Sequence, residues 1–159
     1  MLKIINMSEN EFQKFKEWSV NDYANDLIKS KMSTDNEEAY KRAEKEFDEI
    51  LPMGLSTENN FLYVMIDENA ENVGFIWYEK EDVSGFICDF LVKENYRKKG
   101  YGFETMKWIQ QDAKDKGMTK LRLSVFKFNE PACNLYKKLN YNVVEDNDEN
   151  MIMEKVLFT

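Results

Sequence analysis

The chain has 159 residues, 43% hydrophobic and 14% aromatic, which is enough for one sizeable core and short for two. No apolar run approaches the ~18 residues of a membrane span, and residues 1–7 are too short a stretch, interrupted by Lys3 and Asn6, for a secretion leader. A cytoplasmic protein with no membrane partner is therefore expected, and the net charge of −8 argues against a nucleic-acid surface.

Histidine is absent, which removes Ser-His-Asp and Cys-His catalysis and leaves proton transfer to carboxylates, tyrosine, lysine, cysteine or water. Cys88 and Cys133 are far apart and lack a CxxC partner, so two reduced thiols and no metal site are expected.

Residues 2–5 read as a first strand. Ser8, with Glu11 three positions on, forms a capping box that opens a helix to about Ser30, with Phe12, Phe15, Trp18 and Tyr23 as its buried side. A second helix spans about 35–50 with a narrow stripe of Tyr40, Ala43, Phe47 and Ile50, and Pro52 and Gly54 end it.

Residues 61–66 and 73–78 are aromatic and β-branched and read as a hairpin around the polar loop 67–72. A third apolar run covers 85–92. A helix over about 102–116 follows, with Phe103, Met106, Ile109 and Ala113 on one face and Gly117 as a left-handed stop. A strand at 120–126, a short helix at 131–139 and strands near 141–144 and 151–158 complete a single domain, 1–159.

In Arg97-Lys98-Lys99-Gly100-Tyr101-Gly102 a strand ends just upstream and a helix starts just downstream. The amides of the loop and of the first turn then lack intrahelical partners, and with the helix dipole they suit a phosphate. Gly100 and Gly102 permit close backbone approach, and three cations add attraction, which fits a diphosphate. The plain alternative is a basic turn before a helix. Neither GxxxxGK[ST] nor GxGxxG is present, so a nucleoside triphosphate or dinucleotide site has little support.

Downstream, Asn129 and Tyr136 are seven residues apart, nearly two helical turns and roughly 10 Å along one face, with small Ala132 between them. The two motifs, in this order with a strand between, resemble the GNAT superfamily of N-acetyltransferases: Arg97 to Gly102 is similar to its [QR]xxGx[GA] loop, and Asn129 to Tyr136 to its second coenzyme-contacting motif. The layout before residue 55 resembles a subgroup of small bacterial members. One departure is Asn140-Tyr141, where the family usually shows Gly-Phe; asparagine is the next best left-handed stop.

The resemblance implies an α+β fold: a twisted, mostly antiparallel sheet of about six to seven strands, splayed at the acyl-CoA site, with about four helices. It implies acetyl-CoA as acyl donor and a primary amine of a small molecule or peptide as acceptor, attacking directly in a ternary complex. The coenzyme-binding residues it implies are Phe90, Leu91, Val92, Arg97, Lys98, Lys99, Gly100, Tyr101, Gly102, Phe103, Asn129, Ala132 and Tyr136. Backbone amides of Phe90, Leu91 and Val92 would pair with the pantetheine arm, and that of Val92 would polarise the thioester carbonyl. Their side chains read as core.

Tyr136 is the implied general acid, since a phenol of pKa about 10 is protonated at neutral pH and close in acidity to the departing thiol; helix packing is the alternative. Asn129 is either a pantetheine ligand or the N-cap of its helix, or both. Asp89, the one charge in an apolar strand, is the candidate base beside a structural hydrogen bond. It shares a face with Ile87 and Leu91 unless a bulge re-aims it. The other readings of the chain are a non-catalytic acyl-CoA sensor, favoured if Trp77 or Tyr78 blocks the amine cleft, and an interaction module. A homodimer is the assembly frequent in the family.

Overall fold

The computed structural model describes residues 2–158; Met1, which heads the 1–7 stretch, and Thr159, last in the 1–159 domain reading, lie outside it. Among the described residues the elements run β1 (Lys3–Asn6), α1 (Glu9–Lys29), α2 (Asn36–Ile50), β2 (Asn60–Ile66), β3 (Asn72–Glu81), β4 (Ser84–Val92), α3 (Tyr101–Asp115), β5 (Lys120–Phe126), α4 (Glu130–Lys138), β6 (Asn142–Asp146) and β7 (Asn150–Val156). The strands form one seven-stranded sheet, β1-β2-β3-β4-β5-β7-β6. Its pairings are antiparallel for β1–β2, β3–β4, β5–β7 and β6–β7, and parallel for β4–β5. The fold is α+β, as the resemblance implies. Among the described residues no helix is long and apolar enough to cross a membrane. The chain divides into two compact units: Met7–Asn60, and β1 together with everything from Phe61 onward.

In the first unit, Ser8 Oγ accepts from the Glu11 amide at 3.2 Å and Glu11 Oε1 accepts from the Ser8 amide at 2.9 Å, the expected capping box. The buried face of α1 is Phe12, Phe15, Ser19, Val20, Ala24 and Leu27; Trp18 and Tyr23 are only half-buried. Tyr40 and Ile50 of the expected α2 stripe are exposed, and Ala39, Ala43 and Phe47 carry it instead. Small alanines let the two helices approach, and Phe47 fills the remaining space against Phe12 and Phe15 at 6.0 and 6.1 Å between ring centres. Half-buried on α1, Asp26 is pushed up to about 7, chiefly by burial and then by the Asp22 carboxylate, with Lys29 opposing.

The second unit buries Ile76, Tyr78, Ile87, Met106, Ile109, Leu121, Leu123, Tyr136, Tyr141 and Met153 in one cluster, so α3 and α4 both pack on strand residues of it. Its polar anchor is Asp112, which accepts from the Tyr63 and Tyr78 hydroxyls and from Lys116 Nζ. Lys116 also lies 4.7 Å over the Phe61 ring. Tyr78 is thus committed to the core beneath α3.

Candidate active site

The site is built where β4 parts from β5. Their parallel pairing runs from Ser84↔Lys120 to Ile87↔Leu123 and goes no further, while β5 continues to Phe126 on β7. The cause is local. Against β3, Tyr78 pairs with Ile87 and Trp77 with Asp89, so Cys88 is an extra residue that bends β4. The bulge also settles the side-chain alternation: Ile87 lies on the face of Tyr78, whereas Asp89 lies on that of Trp77. Asp89 and Ile87 therefore face opposite ways, contrary to a regular strand.

Beyond the bulge, the Lys93 amide donates to the Val73 carbonyl at 2.8 Å. Because antiparallel strands turn alternate residues toward the partner, Leu91 also directs its backbone at β3, and Phe90 and Val92 direct theirs into the gap. A Cβ placed on Gly74 would lie 2.0 Å from the Leu91 carbonyl oxygen, which confirms that orientation and explains the glycine. Of the three amides named from sequence, those of Phe90 and Val92 reach the gap and that of Leu91 does not. The Phe90 amide donates to Asp89 Oδ1 at 3.0 Å, and the Val92 carbonyl accepts from Arg97 Nε at 2.8 Å.

The glycine loop begins α3 one residue earlier than expected, at Tyr101, with Gly100 as N-cap at φ 84 and no side-chain capping bond. Lys98 is also left-handed, at φ 64. A Cβ on Gly100 would meet nothing, so glycine is favoured there by backbone angle and not by space. At Gly102 a Cβ would stand 3.4 Å from Leu135 Cδ2 and 3.8 Å from Phe90 Cζ and Val92 Cγ2. The open edge of β4, the start of α3 and the flank of α4 thus converge on one glycine. Arg97, Lys98 and Lys99 are exposed, Tyr101 and Phe103 half-buried; Lys99 lies over the Tyr96 ring and Arg97 is folded onto Val92.

On α4, Asn129 is the N-cap: its Oδ1 accepts from the Ala132 amide at 3.3 Å. Its side-chain NH2 is a separate donor, so capping and ligand binding use different atoms. Ala132 is half-buried. Tyr136 is buried, and its phenol is pushed well above the ordinary 10 by burial first, then by Tyr141, Asp89 and Cys133. Tyr136 therefore feels the charge of Asp89. Cys88 is half-buried by residue exposure, yet its sulfur is enclosed, and burial followed by the Glu79 and Asp89 carboxylates drives its thiol up, away from nucleophilic thiolate.

Two residues in this neighbourhood were given no role by the sequence reading. Gln110 is buried on the inner face of α3 between Ile109 and Ala113, and Tyr141 is buried beside Tyr136. A glutamine inside an apolar stripe was the available signal.

The chain as a whole has counterparts among known proteins. Residues 14–141 match the acetyltransferase (GNAT) family. Two proteins of Bacillus subtilis strain 168 are similar along most of their length. N-acetyltransferase YdgE is 29% identical over 139 residues, 85% of this chain and 88% of that one. N-acetyltransferase YycN is 28% identical over 155 residues, 95% and 96%. The crystal structure of YycN superposes with a TM-score of 0.88, covering 94% of this chain and 97% of that one at 26% identity. The PaiA N-acetyltransferase of Thermoplasma acidophilum, crystallised with coenzyme A, has the same fold at TM-score 0.72 and 17% identity, covering 98% and 99%.

The class is therefore that of the acyl-transferring α+β enzymes with a split sheet. Within it, the chain belongs to the acetyltransferase (GNAT) family and is an N-acetyltransferase.

Proposed function

We propose that residues 1–159 act as one cytoplasmic domain that moves the acetyl group of acetyl-coenzyme A to a primary amine of a small molecule or peptide. The observation that carries this reading is the juxtaposition at Gly102: an uncapped helix start within contact distance of a strand edge whose Phe90 and Val92 backbone groups face a gap. The diphosphate would rest on the amides of Gly100 to Phe103 with Arg97, Lys98 and Lys99 around it, and the pantetheine arm would run along β4 toward Tyr136.

Acetyl-coenzyme A supplies an activated thioester. The residues of this chain do the rest. The Val92 amide donates to the thioester oxygen as negative charge grows there, while the Phe90 amide is already satisfied by Asp89. The amine loses its proton to Asp89 or to water held there. Nitrogen bonds to the acetyl carbon, the carbon–sulfur bond breaks, and Tyr136 O–H hydrogen-bonds the leaving thiolate, which takes its proton from solvent as products leave. Since burial raises the Tyr136 phenol, it remains protonated at every working pH and serves first as a hydrogen-bond donor to the thiolate.

A thiol-release assay with acetyl-coenzyme A across polyamines, aminoglycosides, amino acids and peptides tests the reading. Turnover with at least one amine is expected, and Tyr136→Phe lowers kcat by about 100-fold with little change in coenzyme affinity. Coenzyme binding with no amine-dependent thiol release would instead identify a sensor. A Tyr136→Phe enzyme with unchanged kcat would remove that residue from the chemistry.

A further inference from the structure

Tyr141 carries a hydroxyl where the family resemblance leads to phenylalanine. Asn140, left-handed at φ 68, ends α4 so tightly that the Tyr141 amide donates to the Tyr136 carbonyl at 2.9 Å. The two rings come to rest 5.9 Å apart at 57°. Both are buried, at 7% and 4% exposure. Packing accounts for the Tyr141 ring but leaves its hydroxyl unexplained.

That hydroxyl and the Gln110 side-chain nitrogen are buried polar atoms with no well-formed hydrogen bond among the described residues. Buried polar groups left so are costly, and phenylalanine and methionine would fill the same space without the cost. Gln110 nevertheless lies close enough to favour the ionised form of Tyr141, whose phenol burial pushes up to about 12. Tyr141 in turn is felt by the phenol of Tyr136. From the inner face of α3, Gln110 thus neighbours Tyr141, and the Tyr141 ring neighbours that of Tyr136.

We propose that Gln110 and Tyr141 are positioning residues, forming a chain of donors that closes when the coenzyme sulfur enters the gap. Gln110 N–H donates to the Tyr141 oxygen, Tyr141 O–H donates to the Tyr136 oxygen, and Tyr136 O–H is thereby aimed at sulfur. Each donor in such a chain polarises the next. The inference rests on the assignment of Tyr136 as the donor to sulfur, and no proton crosses beyond Tyr136.

The test needs no acceptor. The thiol of bound coenzyme A is titrated by thiolate ultraviolet absorbance, with the desulfo-coenzyme A complex as blank, in wild type, Tyr141→Phe, Gln110→Met, Tyr136→Phe and the Tyr136→Phe/Tyr141→Phe pair. Hydrogen bonding to the thiolate is expected to make the bound thiol about tenfold more acidic in wild type than in Tyr136→Phe. Tyr141→Phe and Gln110→Met should each forfeit about threefold of that, and Tyr141→Phe should do nothing further once residue 136 is phenylalanine. Tyr141→Phe and Gln110→Met with wild-type acidity, or an equal effect of Tyr141→Phe in both backgrounds, would overturn the donor chain and leave Tyr136 in place. A Tyr136→Phe complex as acidic as wild type would overturn the assignment of Tyr136, and the chain with it. Failure of the wild-type protein to bind coenzyme A would remove the whole site.

Discussion

Two helix starts in this molecule obey the same chemistry and are finished in opposite ways. At α1, Ser8 and Glu11 satisfy each other's backbone amides through side chains. At α3, Gly100 has no side chain to offer, and the acidic residue of the first turn, Glu104, is engaged with the Leu2 amide at 2.8 Å. The other two helices follow α1, capped by Asp35 and Asn129. An amphipathic helix in a small domain ordinarily satisfies its own first turn. A start left open, on the edge of a strand gap, has free amides to offer an anion.

The sharpest way to break the contrast is to finish α3 as the others are finished. Gly100→Asp keeps a residue that tolerates a left-handed backbone and places a carboxylate where the diphosphate would sit. Coenzyme affinity by calorimetry is expected to fall about 100-fold, near 2.7 kcal/mol, while the left-handed angle costs about 1 kcal/mol of stability. Gly102→Val should follow, weakening binding about tenfold, because even its Cβ would touch Leu135 and the branches would push into the gap.

The reverse operation at α1 is milder. Ser8→Ala removes one arm of the capping box and should cost about 1 kcal/mol of stability in a denaturant titration, leaving coenzyme affinity intact. If Ser8→Ala weakened coenzyme binding as much as Gly100→Asp does, the two starts would not be functionally distinct.

The smallest effect is a pH dependence on α1. Asp26 holds its proton in the folded chain to about pH 7 and in the unfolded chain only to about 4. The folded state therefore binds more protons between those values, so this contribution is fully present below pH 4 and is lost as pH rises through 7. Asp26→Asn keeps the neutral form at all pH. It should add about 1 kcal/mol at pH 8, discounted because the group is half-exposed, and nothing at pH 4. A gain that grew toward acid pH would reverse the sign of the argument.

Much of this was legible in the sequence. The capping box at Ser8, the left-handed stops at Gly117 and Asn140, and the glycine loop are local signals, and local signals survive folding. The bulge at Cys88 was not legible, because an extra apolar residue in an apolar run looks like every other, and only pairing with Trp77 and Tyr78 exposes it. The same holds for the α2 stripe. Ala39 buries completely while Tyr40 and Ile50 face water, since the space between two close helices admits alanine and excludes a phenol. What Gln110 and Tyr141 neighbour was not legible for a different reason: a polar residue's partners lie on other elements, and spacing along one helix says nothing of them.

The claim on which the rest depends is that an anion completes the open start of α3. Calorimetric titration with coenzyme A and with pantetheine, which keeps the thiol arm but lacks the diphosphate, measures it directly. Affinity for coenzyme A at least 100-fold above that for pantetheine, with the gap closed by Gly100→Asp, is the predicted result. Equal affinities in wild type would contradict it.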